Sequence, residues 1–224
     1  MKTFPQVLKR NDLFPSPIWI GEDTSFIKKL NKASDPYIKE SKKAAKDILN
    51  KRNKNMGDRG DMGHVYHSTS LINDTNFLDL QNYVIATSNN LLLEMGFDLT
   101  NYQVFMTEMW VQEFAKNGAG HHSLHTHWNG HISGFYFLKG SDKTSMPVFE
   151  DPRPGSLMNS LPEKDKSIIS YATPQINYKP TPGKIIFFPS YMPHEFVVDM
   201  GYEPFRFIHW NCQAVPKSIV GYNK

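Results

Sequence analysis

The chain has 224 residues, 39% of them hydrophobic, a formal net charge of +3 and one cysteine. That is enough for one sizeable core and does not require a second domain. The lone Cys212 excludes an internal disulfide, and the lack of any Cys-x-x-Cys excludes a thiolate zinc cluster, so a reducing compartment is expected. The opening Met1–Asp12 has no apolar signal-peptide core, and no run approaches the length needed to cross a bilayer. A soluble cytoplasmic protein without a membrane partner follows.

In chain order, Ser25–Asn50 reads as one or two amphipathic helices, with a break expected near Ser34-Asp35-Pro36. Its apolar Tyr37, Ile38, Ala44, Ala45, Ile48 and Leu49 recur at helical spacing. The basic residues from Lys28 to Lys54 therefore read as a solvated outer face, and nucleic acid is not an expected partner. Asn53–Asp61 reads as a loop, and the following stretch with His64 and His67 as a lid or an ordinary loop. Asp74–Met95 repeats apolar residues at helical intervals, and Gly96 is placed to cap it.

From Tyr102 the texture changes to short β-rich runs. These are Tyr102–Phe114, Ser123–Trp128, His131–Leu138, Met146–Glu150, Ile168–Ala172, Gln175–Tyr178, Lys184–Phe188, His194–Val198 and Phe205–Cys212. Short strands with helices gathered in front predict a mainly β chain with flanking helices. The expected architecture is a double-stranded β-helix, a jelly-roll, cupin-like barrel buttressed by N-terminal helices. The whole chain, 1–224, is read as one domain: a supporting segment over 1–100, the jelly-roll core over 101–214 and a tail over 215–224.

His125-Thr126-His127 and the distant His194 are the main chemical signal. Two histidines one residue apart on a strand point to one side, and a third arriving from another strand completes one face of a coordination sphere. Such a face suits an open non-haem iron site, and three imidazoles with an open position also suit zinc. His121 and His122 read as surface or entrance residues, and His131 and His209 are left out. Trp110, Phe114, Trp128 and Trp210 are candidates to line the barrel. Arg206, embedded in Phe205-Arg-Phe-Ile-His-Trp210, is costly to bury without a dedicated anion and is a candidate carboxylate anchor.

These residues belong to a longer ordered pattern: His125-x-His127, Ser133-Gly-Phe-Tyr-Phe-Leu138, Asp151-Pro-Arg-Pro154, Pro182-Gly-Lys-Ile-Ile-Phe-Phe-Pro-Ser190, His194, Arg206 and Trp210-Asn211. From about Trp110 to Asn211 the chain resembles the iron(II)- and 2-oxoglutarate-dependent oxygenases. Within them it is most similar to a small group of microbial and phage proteins, and Leu13–Trp19 also resembles that group's opening. If phage-encoded, the protein would work in the host cytoplasm.

The resemblance implies a dioxygenase that uses iron(II), 2-oxoglutarate and dioxygen, releases succinate and carbon dioxide, and hydroxylates an unidentified small-molecule or peptide substrate. It places the metal and the catalysis on His125, His127 and His194, without a protein carboxylate. It assigns the distal carboxylate of the co-substrate to Arg206. Phe137 stands where relatives carry a Tyr whose hydroxyl helps hold the co-substrate; either Ser133 supplies a hydroxyl instead or the protein accepts a slightly different 2-oxo acid. Asp151 is read either as orienting Arg153 or a ligand histidine, or as a turn-forming Asp before Pro152. Two other readings stay open: a three-histidine cupin-like metalloenzyme without 2-oxoglutarate, and a non-catalytic barrel that binds a small molecule. Homodimerisation is also left open.

Overall fold

The computed structural model describes residues 9–158 and 161–220. The signal-peptide reading of the first eight residues and the last four of the tail lie outside this range. In chain order the elements are β1 (Trp19–Glu22), α1 (Ile27–Met56), β2 (Val65–His67), a short 3-10 turn (Thr75–Phe77), α2 (Leu78–Glu94), β3 (Tyr102–Phe114), β4 (His122–His125), β5 (Ile132–Lys139), β6 (Pro147–Glu150), α3 (Pro154–Met158), β7 (Gln175–Asn177), β8 (Lys184–Pro189), β9 (His194–Phe196), β10 (Arg206–Pro216) and α4 (Lys217–Val220). They form a six-stranded sheet, β1-β8-β5-β10-β3-β2, and a four-stranded sheet, β4-β9-β6-β7. This is the jelly-roll arrangement, with no ladder joining the two sheets among the described residues. No helix among them is long and apolar enough to cross a membrane.

The six-stranded sheet is buried on both faces, which explains its unbroken apolar strands. On one face Met109, Val111, Tyr136, Ile208 and Trp210 pack against Leu30 and Ile38 of α1 and Leu80 and Val84 of α2. On the other, Phe135, Phe137, Phe188 and Phe207 meet Phe149 and Phe196 from the four-stranded sheet. Gly134 is required where β5 runs between β8 and β10 with the Trp210 ring lying across it. A Cβ there would lie 2.4 Å from the Ile186 carbonyl oxygen and 2.4 Å from the Trp210 ring. The Gly of the pattern's Ser-Gly is thus a packing feature of the helix-facing side.

The helices are mostly as expected. Asp74 accepts a hydrogen bond from the Asn76 backbone ahead of α2, and Gly96, at φ 90°, closes it. The break predicted near Pro36 is absent, because α1 runs through it as one 30-residue helix. Pro36 lies on the exposed side, so the missing N–H costs one solvated helical bond while Leu30, Ile38 and Ala45 hold both halves to the sheet. Ala44 and Ile48 are exposed rather than buried, and the lysines of α1 do lie on the exposed surface.

Ile168–Ala172 is a turn-rich segment, not a strand. Ile168 and Ile169 are exposed and find no neighbouring strand to pair with. The lid or loop around His64 and His67 is instead the edge strand β2, paired with β3.

Candidate metal centre

β4 and β9 are neighbours in the small sheet, and their register sets His125 opposite His194. β4 ends at His125. His127 therefore reaches the same side from the loop beyond, where its backbone N–H donates to the Ser190 carbonyl at 2.9 Å. The three rings lie 4.4–5.1 Å apart, centroid to centroid, and one ligand atom from each falls within 4.8 Å of the others. The structure thus brings together the three histidines selected from the sequence.

Two of these imidazoles have their tautomer fixed by the backbone. His125 Nδ1 is 2.7 Å from the Ser123 carbonyl oxygen, and His194 Nδ1 is 3.0 Å from that of Met192. A carbonyl only accepts, so both Nδ1 atoms carry the proton and both Nε2 atoms present a lone pair. His127 Nε2 is buried and has no hydrogen-bond partner. Burial, reinforced by the neighbouring histidines, pushes His127 down to about 4. Burial likewise takes His194 down to about 3, against the pull of the Met192 carbonyl. Neutral imidazole is the form that binds a metal, so His127 and His194 are ready at neutral pH without deprotonation.

A buried polar chain supports His127. Ser133 Oγ donates to Asn211 Oδ1 at 2.6 Å and meets Ser190 Oγ at 2.8 Å. Asn211 Nδ2 in turn donates to Glu108 at 2.6 Å and lies 3.4 Å from His127 Nδ1. This corrects the expectation that Ser133 holds the co-substrate. Its hydroxyl is fully buried and committed to this chain, so its role is to position Asn211 beside His127.

Arg206 requires a larger correction. It opens β10 on the helix-facing side, opposite in parity to Phe207, His209 and Asn211. Its Nε and Nη2 donate to Glu113 at 2.7 and 2.6 Å, and its Nη1 donates to Asp35 of α1 at 2.7 Å. The anion that makes its burial tolerable is therefore a protein carboxylate pair. Lys42 also donates to Glu113 at 2.6 Å. Burial raises the Glu113 carboxyl, but Lys42 and Arg206 outweigh it and leave it below its ordinary value. Arg206 is the only buried Lys or Arg among the described residues.

The remaining sequence expectations divide. Phe137 is a buried wall residue against Phe205 and Phe207. His121 is exposed, but His122 turns inward between Phe114 and Phe196, where burial takes it down to about 4. Trp110 and Phe114 pack with the inner core, Trp210 faces the helices and Trp128 is 93% exposed. Asp151 pairs bidentately with Arg153, at 2.9 and 2.6 Å, and touches no ligand histidine. A cavity of about 400 Å³ lies beside this pair, lined by Phe14, Ile18, Phe149, Arg153, Tyr171 and Met192.

Two functional candidates were missed. His209, left out by the sequence reading, sits at the floor of the histidine cluster with its ring 4.6 Å from that of His127. It is fully buried, and neither ring nitrogen has a partner. Glu108, on β3 opposite Asn211, brings a carboxylate to the same place. Strand parity offered a signal for His209, since it shares a face with Asn211. For Glu108 no local spacing did.

Residues 108–204 match a protein-family profile described as "Putative 2OG-Fe(II) oxygenase". Across that stretch the chain is similar to the 2OG-Fe(II) oxygenases. The matched segment contains all three clustered histidines and covers less than half of the chain.

Among solved structures, AviO1 from Streptomyces viridochromogenes Tue57 is similar in fold, with a TM-score of 0.53 and 12% identity over 88% of this chain and 90% of that one. A 2OG-Fe(II) oxygenase family oxidoreductase from Burkholderia pseudomallei matches at TM-score 0.46 and 11% identity over 66% of each chain. A Pseudomonas putida prolyl-4-hydroxylase matches at TM-score 0.44 and 11% identity over 87% of this chain and 92% of that one. No curated protein matches the chain in sequence.

The matched profile is that of non-haem iron, 2-oxoglutarate-dependent oxygenases, whose cofactors are iron(II), 2-oxoglutarate and dioxygen. The donor set fits that metal: several imidazoles held neutral and converging, with an unpartnered nitrogen on His127.

Proposed function

We propose that the protein hydroxylates a carbon of a small-molecule or peptide substrate in the cytoplasm, converting 2-oxoglutarate and dioxygen to succinate and carbon dioxide, with iron held by His125, His127 and His194. The observation that supports this most is the pair of Nδ1–carbonyl hydrogen bonds at His125 and His194, which aims two Nε2 lone pairs into one cluster with His127. Histidines that served only packing or surface polarity would not need that shared orientation. When bound, iron supplies the dioxygen chemistry. Three neutral ligands would leave its charge uncompensated, which favours a dianionic co-substrate.

The rest of the work falls to the chain. Phe135, Phe149 and Phe188 pack around His194 and keep water from its inner side. The Ser133–Asn211 chain steadies His127. None of the three histidines lines the cavity bounded by Phe149 and Met192, but Phe149 lies between it and His194, and the cavity is proposed to receive the substrate. Because Arg206 is paired away from the barrel, the tail of the co-substrate is not assigned to it.

That outward arginine favours one second reading, a three-histidine enzyme with a different co-substrate. Protein supplied with iron(II), 2-oxoglutarate and oxygen should form succinate slowly even without the true substrate, and His194→Ala should abolish it. Metal-loaded protein that consumes oxygen with another co-substrate but never forms succinate would favour the second reading.

A further inference from the structure

Beside the three-histidine cluster, a second group of potential ligands shares His127. Glu108, His127 and His209 each place one ligand atom within 4.8 Å of the others. The three come from β3, the loop after β4, and β10, and the β3–β10 register holds Glu108 opposite Asn211, two residues from His209. His209 gives the independent indication of a ligand. Its ring is 0% exposed, stacked between His127 and Trp110 at 4.6 Å from each, and both nitrogens lack a hydrogen-bond partner. Burying an imidazole with neither nitrogen satisfied costs stability, so its retention calls for a partner that arrives from outside the chain. Glu108 is only half-buried, its contact with Asn211 occupies Oε2, and its other oxygen accepts no hydrogen bond from a side chain among the described residues.

We propose that Glu108, His127 and His209 form a second metal position, a two-histidine, one-carboxylate pocket overlapping the three-histidine pocket at His127. The carboxylate missing from the His-x-His pattern is then supplied from β3, and one divalent ion can exchange between two neighbouring positions. This deepens the reading of the cluster as an iron site and rests on it.

Cobalt(II), a spectroscopic substitute for iron(II), tests the proposal by calorimetric titration and visible absorption, without turnover. His125→Ala/His194→Ala retains only the second pocket and should still bind about one equivalent, roughly tenfold or more weaker than the native chain. Adding Glu108→Gln should abolish that residual binding. The reciprocal His209→Gln removes a ligand of the second pocket alone, leaves the Glu108–Asn211 contact in place, and should bind if the proposed iron site is correct.

No cobalt on folded His125→Ala/His194→Ala, or binding there that is indifferent to Glu108→Gln, overturns the second position. Loss in the reciprocal variant alone overturns the three-histidine site instead. If circular dichroism shows the alanine pair to be unfolded, His125→Gln/His194→Gln provides the same comparison with the polarity kept.

Discussion

Arg206→Met separates an architectural arginine from a co-substrate anchor. Arg206 and Glu113 are both buried, at 4% and 8% side-chain exposure, and are joined by contacts of 2.6 and 2.7 Å, with Asp35 completing the arrangement. Removing one member of such a buried pair costs about 3–5 kcal/mol, because the other charge stays desolvated. Lys42 still donates to Glu113 after the change, which puts the expected loss near the lower end, about 3 kcal/mol. For a chain of this size that corresponds to a fall of roughly 6–12 °C in Tm.

The double variant Arg206→Met/Glu113→Met removes both buried charges and should recover most of the loss. Thermal and urea unfolding measure the stability, and calorimetry on the metal-loaded protein measures 2-oxoglutarate affinity, which should stay within about twofold of native. An Arg206→Met protein with native Tm and no 2-oxoglutarate binding would refute the outward placement.

Acidification should weaken the metal-free fold. Burial lowers His194 to about 3 and His127 and His122 to about 4, from 6.5. The unfolded chain therefore binds protons first, so the contribution of these neutral rings is complete above about pH 6.5 and is lost as pH falls toward 4 and then 3, on the order of a few kcal/mol for the nearly fully buried His194. Melts that are flat from pH 8 to 4 would contradict this. Gly134→Ala should cost about 1–3 kcal/mol by overpacking against Ile186 and Trp210 while sparing metal affinity, as unfolding and cobalt titration would show. Ser133→Ala should weaken metal binding about ten- to a hundredfold by releasing Asn211 beside His127, and unchanged affinity would remove Ser133 from the positioning chain.

The three clustered histidines were legible from the ordered pattern rather than from strand alternation, since β4 ends at His125 and His127 reaches the cluster from the loop beyond. The β-rich half was legible from its composition, with β3 beginning and ending where that composition does. The face of β10 was not. Phe205-Arg-Phe-Ile-His-Trp210 is apolar on both parities because helices cover one side and the second sheet the other. Alternation correctly set His209 apart from Arg206 but could not say which of them points inward.

Glu108 was hidden for another reason. It joins the histidines only through the β3–β10 pairing, which no short-range spacing encodes. The unbroken α1 is a case of tertiary packing prevailing over a local breaker at Pro36.

The central claim is that His125, His127 and His194 make an iron site that admits 2-oxoglutarate, and anaerobic titration tests it most directly. Iron(II) followed by 2-oxoglutarate should produce the weak visible charge-transfer band of the chelate at about one equivalent of each in the native protein and in Arg206→Met, and no band in His194→Ala. A native protein that binds neither iron(II) nor 2-oxoglutarate under these conditions, or a band that survives in His194→Ala at undiminished affinity, would contradict the account.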